Sequence, residues 1–285
     1  MRPEPLPEAI VDQLVAIALD EDHAGADVTT LAVVPADLMG VGRLVAREPG
    51  VLAGLDIAAA AFRRIDARVR LSPRRHDGDA FDAGAVLAEI DGPVRAILQA
   101  ERVALNFLQR LSGVATLTRR YVDAVDGTGA VILDTRKTTP GLRDVEKYAV
   151  RCGGGTNHRR DLESMAMVKD NHREAIARAG LTLAQAVTAI RERFPGVPVE
   201  VEIDQLDQLE AALAARPEWV LLDNMSLDDM REAVARTATR AKLEASGGIT
   251  LETVRAVAGT GVDAISVGAL THSARALDIS LDLEF

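Results

Sequence analysis

Apolar and polar positions follow two different rhythms along this chain. From residue 7 to 20 the spacing of Ile10, Leu14, Ile17 and Ala18 predicts a helix, and DVTT at 27–30 breaks it into a turn-rich stretch. Between Val41 and Asp91 the short apolar runs GRLVA, GVLAGL, ARVRLS and AVLAEI are separated by EPG, HDGD, DAG and DGP. That punctuation predicts an antiparallel sheet, with a helix near 55–65. Helical spacing returns over 96–125 through Ile97, Ala100, Ala104, Phe107, Leu108, Leu111, Ala115 and Leu117, and this long helix is expected to join two domains.

Past the helix the pattern becomes strand and helix in alternation. The apolar runs are VILD (131–134), MAMV (165–168), VEVEI (199–203), WVLL (219–222), KLEA (242–245) and AISV (264–267). Helical segments at 173–193, 205–215, 227–239 and 250–258 lie between most of them. Continuous apolar strands alternating with helices predict a parallel sheet covered by helices, either closed as a barrel or open. Groups capable of chemistry cluster at the strands' C-terminal ends: Asp134 to Lys137, Lys169 to Asn171, Glu202 and Asp204, Asp223 and Asn224, Ser246 to Gly248, and Gly268. A barrel gathers such ends at one mouth, which favours an α/β barrel. Six strands fall short of a barrel's usual eight, so closure is irregular or a further strand lies near 149–153.

Charge sharpens the picture. The chain carries a formal net charge of -10, yet residues 134–172 concentrate Arg136, Lys137, Arg143, Arg151, His158, Arg159 and Lys169 among glycines and a proline. Loops that aim fixed cations in this way suit a small anion. The acidic balance argues against nucleic acid or an anionic membrane surface as partner, and 3% aromatic residues leave little for base stacking. Cys152 is the single cysteine, and the start MRPEPLPEAI lacks the pattern of a secretory signal, so a cytoplasmic protein is expected. No apolar run approaches the ~20 residues of a spanning helix.

Several motifs carry candidate chemistry. SGGI at 246–249 and SVGAL at 266–270 resemble the paired glycine loops that hold phosphate in barrels. Glu202 and Asp223 close successive strands and offer hard oxygens suited to Mg²⁺; a hydrogen-bonded structural pair is the alternative. Lys169 follows its strand directly and either pairs with an anion or forms a Schiff base. Met165, Met167 and Trp219 read as packing residues, and Cys152 has no oriented base that would make it a nucleophile.

Taken together, ERVALNFLQRLSGVAT, DTRKTTPGLR, EKYAVRCGGGTNHR, KDNH, VEIDQLDQLEAAL, LLDNM, EASGGI and SVGALTHSA resemble the quinolinate phosphoribosyltransferase family, from about DVTT to the C-terminus. The resemblance implies an N-terminal α/β sandwich domain over 1–112, to which the last residues return. It also implies an incomplete (β/α) barrel over 113–285, with its active site at the C-terminal ends of the strands. It further implies a homodimer in which Arg102 reaches the partner's site. Arg136, His158, Arg159 and Lys169 would bind the quinolinate carboxylates, Thr135 would be a further substrate-binding residue, and Lys137 would serve both substrates. Glu202 and Asp223 would handle the ribose and Mg²⁺ of phosphoribosyl pyrophosphate. Ser246, Gly247, Gly248, Val267, Gly268 and Ala269 would cradle its 5-phosphate, and Lys137, Lys169, Glu202 and Asp223 are the expected catalytic groups. Arg160, Asp161 and Arg173 depart from the family's usual pattern. Rival readings are a paralogous phosphoribosyltransferase-like protein of molybdate loci, a Schiff-base lyase using Lys169, and an anion-binding regulator.

Overall fold

The computed structural model describes residues 3–284. In chain order, short 3-10 turns aside, it runs α1 (Glu8–Glu21), α2 (Val28–Val33), β1 (Met39–Ala46), β2 (Gly50–Val51), α3 (Leu55–Ile65), β3 (Arg70–Pro73), β4 (Ala80–Phe81), β5 (Val86–Pro93) and α4 (Val94–Ala124). The chain continues through β6 (Val131–Leu133), α5 (Arg143–Cys152), β7 (Ala166–Val168), α6 (Asp170–Arg178), α7 (Leu183–Arg193), β8 (Val199–Ile203), α8 (Leu209–Ala214) and β9 (Trp219–Asp223). It ends with α9 (Leu227–Thr237), β10 (Lys242–Ser246), α10 (Val254–Ala258), β11 (Ala264–Ser266), α11 (Ala269–His272) and β12 (Ile279–Glu284). Among the described residues no helix is long and apolar enough to cross a membrane.

The chain forms two compact units. One takes in the chain up to Arg119, Thr138–Gly154, and the chain from Leu270 on. Its antiparallel sheet has the order β12-β1-β5-β3, and the returning C-terminal strand pairs along β1 from Val41↔Glu284 to Ala46↔Ile279. α3 buries Leu55, Ile57, Ala58, Ala61 and Phe62. The first turn of α3 is held by a carboxylate from outside the helix: Asp77 accepts from the backbone N–H of Gly54 at 2.8 Å and of Leu55 at 3.1 Å, and from the Tyr148 hydroxyl at 2.8 Å. Glu146, fully buried on α5, accepts from Arg110 Nη2 at 2.6 Å and from the backbone N–H and hydroxyl of Thr139 at 2.9 and 2.8 Å. These bonds tie the loop after β6 to α4 and α5.

The other unit comprises Arg120–Lys137 and Gly155–Ala269. Its six strands form one parallel sheet in the order β6-β11-β10-β9-β8-β7. β8, β9 and β10 are buried on both sides over most of their length, as the continuous apolar runs require. At the β6 edge a single residue, Thr156, bridges Leu133 in parallel, with its N–H on Ile132 O at 2.8 Å and its carbonyl accepting from Asp134 N–H at 3.2 Å. The further strand expected near 149–153 is therefore absent from that position. Residues 143–152 are α5, and the extra pairing is this one-residue bridge beyond the glycines. The predicted helix 173–193 is two helices. Gly180 turns the chain at φ +71°, and Thr182 and Gln185 form a reciprocal capping box that starts α7.

Candidate active site

Side chains on a strand alternate between faces, so the register decides which of them meet. Leu221 on β9 stands opposite both Glu202 on β8 and Glu244 on β10, and Asp223 stands opposite Ser246. Stepping by two places Glu200, Glu202, Asp223, Glu244 and Ser246 on one face of the sheet. Met167 stands opposite Glu200 on that same face, and Lys169 lies two positions further on. Lys169 Nζ accordingly donates to Glu202 Oε2 at 2.7 Å. This contact fixes the direction of the Lys169 side chain along the sheet face.

The segment Asn157–Arg159 is held by buried acids. Asp134, fully buried, accepts from Asn157 Nδ2 at 2.6 Å and from the His158 backbone N–H at 2.8 Å. The His158 ring is engaged at both nitrogens. Nδ1 accepts the Arg159 backbone N–H at 2.6 Å, and Nε2 lies 2.9 Å from Glu244 Oε2 and 3.2 Å from Glu200 Oε2. Burial by itself would lower the His158 pKa, but hydrogen bonding to the two glutamates and their charges outweigh it and raise it to about 9. Burial, opposed by His158, also raises the Glu200 carboxyl above its ordinary range. With Nδ1 accepting the Arg159 N–H, the ring's own proton sits on Nε2, and the further proton retained at this cluster rests with Glu200, the carboxyl that burial raises. The Arg159 guanidinium donates to Met165 O at 3.1 Å and contacts Met167 Sδ at 3.4 Å. Burial, then the nearby Arg136 charge, lower its pKa, so two cations share one pocket. Met167, expected as packing, thus also steadies this arginine.

Two strand-end loops are joined through Asn224. Its backbone has φ +53°, a conformation that asparagine tolerates better than most residues. Its side-chain N–H donates to Asp223 Oδ2 at 2.8 Å, and its backbone N–H donates to Ser246 O at 2.9 Å. Gly247, at φ +95°, lies so close that a Cβ there would collide with the Asn224 side chain. Val267 N–H donates to Leu133 O at 3.0 Å and sets the start of the Gly268–Ala269 turn.

Thr135, Arg136, Lys137, His158, Arg159, Lys169, Glu202, Asp223, Ser246, Gly247, Gly248, Val267, Gly268 and Ala269 all belong to this unit. Lys137 is exposed, in a turn where its backbone N–H donates to Thr135 Oγ1 at 3.0 Å. Arg102 lies in the other unit, exposed on α4. Two cations of the basic stretch belong to the first unit: Arg143 donates to Thr138 Oγ1 at 3.1 Å and Arg151 to Glu4 O at 3.1 Å. Cys152 is buried, and burial pushes its thiol well up, away from nucleophilic use. Arg173 is tied to Gln208 and, at 3.4 Å, to Asp204. Sequence reasoning passed over Glu200 and Glu244; a charged residue inside an otherwise apolar strand was the available signal.

His158, Glu200 and Glu244 also offer three ligand atoms within 4.8 Å of one another, a spacing compatible with a metal ion. Glu202 and Asp223 form a second oxygen-only donor set on neighbouring strand ends, one accepting from Lys169 and the other from Asn224. Such hard donors fit Mg²⁺.

Models of the N-terminal and C-terminal domains of quinolinate phosphoribosyl transferase match residues 27–112 and 114–282 respectively. The nicotinate-nucleotide pyrophosphorylase [carboxylating] of Mycobacterium leprae is 47% identical over 272 residues, covering 93% of this chain and 94% of that protein. A probable nicotinate-nucleotide pyrophosphorylase of Bacillus subtilis is 47% identical over 240 residues, covering 84% of this chain and 82% of its own. The crystal structure of NadC from Streptococcus pyogenes superposes with a TM-score of 0.93 at 41% identity, covering 99% of both chains. With both domain models matched and relatives aligned over nearly their whole length, the chain belongs to the quinolinate phosphoribosyltransferase family.

Proposed function

We infer that this chain transfers the phosphoribosyl group of phosphoribosyl pyrophosphate to the ring nitrogen of quinolinate and releases pyrophosphate, CO₂ and nicotinate mononucleotide. The observation that carries the reading is the single sheet face on which Lys169, Glu202, Asp223 and Ser246 meet, with Arg159 lodged against Met167 of that face. Two adjacent carboxylates on a pyridine require several fixed cations. Arg136, Arg159 and Lys169 fill that role, with Thr135 and His158 in the same wall and Arg102 supplied by a second copy of the chain. Lys137, at the tip of its turn, reaches both substrates. Glu202 and Asp223 take the ribose hydroxyls and would hold Mg²⁺, which when bound neutralises pyrophosphate charge. Ser246–Gly248 and Val267–Ala269 cradle the 5-phosphate, their glycines letting its oxygens approach the backbone.

In the reaction the ring nitrogen forms a bond to C1 of the ribose as the C1–O bond to pyrophosphate breaks. Ribosylation leaves the ring cationic. It then accepts the electron pair of the C2–carboxylate bond as CO₂ departs, and a proton fills C2. No protein nucleophile is needed; fixed charges and position supply the catalysis. Both substrates are water-soluble anions, which suits a cytoplasmic setting. The test is to incubate the purified protein with Mg²⁺, phosphoribosyl pyrophosphate and quinolinate and to follow nicotinate mononucleotide by mass spectrometry. Product from quinolinate and none from nicotinate is expected; folded protein that binds phosphoribosyl pyrophosphate and yields nothing would refute the reading.

A further inference from the structure

The pair Glu200 and Glu244 has no part in the reaction so far described, yet it lies inside the unit that performs it. Both are shut off from solvent, at 0% and 1% exposure, and they approach each other from β8 and β10 on the face that carries Glu202. No described group makes a well-directed hydrogen bond to either Glu200 oxygen or to Glu244 Oε2, and the His158 Nε2 faces them as an ion-pair contact, 2.9 Å from Glu244 Oε2 and 3.2 Å from Glu200 Oε2. Two buried acids sharing one N–H are a poor device for stability, since neutral side chains of the same shape would avoid the desolvation cost. Their geometry serves something else.

We propose that Glu200 and Glu244 are positioning residues which, by gripping Nε2 of His158, hold its ring so that Nδ1 fixes the backbone of Arg159 at the dicarboxylate pocket. The proposal rests on the assignment of Arg159 to quinolinate. Nδ1 accepts the Arg159 N–H only while it is unprotonated, and which nitrogen carries the proton is decided by what the other end of the ring meets. Two carboxylate oxygens at 2.9 and 3.2 Å admit only the N–H at Nε2. Meanwhile Asp134 holds the His158 backbone N–H at 2.8 Å, so neither ring nor main chain can turn. His158 therefore acts on the substrate through Arg159 rather than through a ring nitrogen of its own. A glutamine at 200 or 244 keeps the shape but can present an N–H to Nε2, which invites the opposite tautomer and releases the Arg159 backbone.

The experiment compares wild type, Glu200→Gln, Glu244→Gln and Arg159→Ala in steady-state kinetics with each substrate varied, in thermal melts and in metal analysis of the purified proteins. Each glutamine variant is expected to raise the KM for quinolinate about tenfold or more, the usual scale for an orienting partner. The KM for phosphoribosyl pyrophosphate should stay within about twofold, and the melts need show only that each variant is folded at the assay temperature. A packing role would instead move both KM values together, and that result overturns the proposal. So does an unchanged quinolinate KM in either folded variant, or a stoichiometric metal in wild type that the variants lose. If Arg159→Ala loses quinolinate saturation while the glutamine variants keep it, only the positioning role falls. If wild type makes no product, or Arg159→Ala keeps its quinolinate KM, the reading beneath it falls as well.

Discussion

A histidine wedged between two buried carboxylates changes what pH does to the fold. His158 is raised to about 9 from an ordinary 6.5, because the glutamates' hydrogen bonds and charges outweigh the burial that would lower it. A group whose folded pKa is raised contributes stability that is complete below its unfolded value and disappears as pH climbs through the folded one. The window is thus about pH 6.5 to 9, where the folded protein holds a proton the unfolded chain releases, shared between the Nε2 side of the ring and Glu200 so that Nδ1 stays bare for the Arg159 N–H. We expect the unfolding free energy of wild type to fall relative to that of His158→Gln across this window, by at most about 1.4 kcal/mol per pH unit, the slope for one proton. Denaturant melts at intervals from pH 6 to 9.5 read the difference directly, and a gap that stays constant with pH would show that the proton is not held there. Exposed charged pairs such as Arg178–Glu174 contribute little to any such trend, being solvated and screened.

At the level of elements, the turn after β10 concentrates constraint in few residues. Gly247 combines a left-handed backbone with a place beside Asn224 that leaves no room for a Cβ, so Gly247→Ala should cost about 1–2 kcal/mol for the conformation alone. The displaced Asn224 would also lose its grip on Asp223 and on the Ser246 carbonyl. Calorimetry should show the stability loss, and kinetics a KM for phosphoribosyl pyrophosphate raised about tenfold with a smaller effect on quinolinate; an unaltered KM would separate this loop from the phosphate. Much of this architecture was readable beforehand. VEVEI, WVLL and AISV are buried parallel strands in the structure, because a strand covered on both sides must be apolar almost throughout. Thr182 and Gln185 carried a helix-start signal that would have divided 173–193 correctly. The glutamates were hidden for a different reason. Position in the sequence says that Glu200 and Glu244 lie within strands, but only the register through Leu221 on β9 reveals that they share a face and a histidine.

Over the whole molecule, the site residues are divided unevenly. The parallel-sheet unit holds every candidate except Arg102, which stands exposed on α4 in the unit built on the antiparallel sheet. The chain's net charge of -10 repels anionic substrates at a distance, so capture depends on short-range cations, and removing one of them should be felt strongly. If Arg102 acts on the site of a second copy, Arg102→Ala and Lys137→Ala damage different chains of one composite site. Each variant alone should lose most activity while remaining folded. Mixed in equal amounts and allowed to exchange subunits, half the dimers are hybrids, and each hybrid has one site with both residues intact. Activity should therefore return to about one quarter of the wild-type level, the statistical limit for a symmetric dimer. Recovery that appears only after subunit exchange would require shared sites, whereas a mixture no more active than its components would confine Arg102 to its own chain.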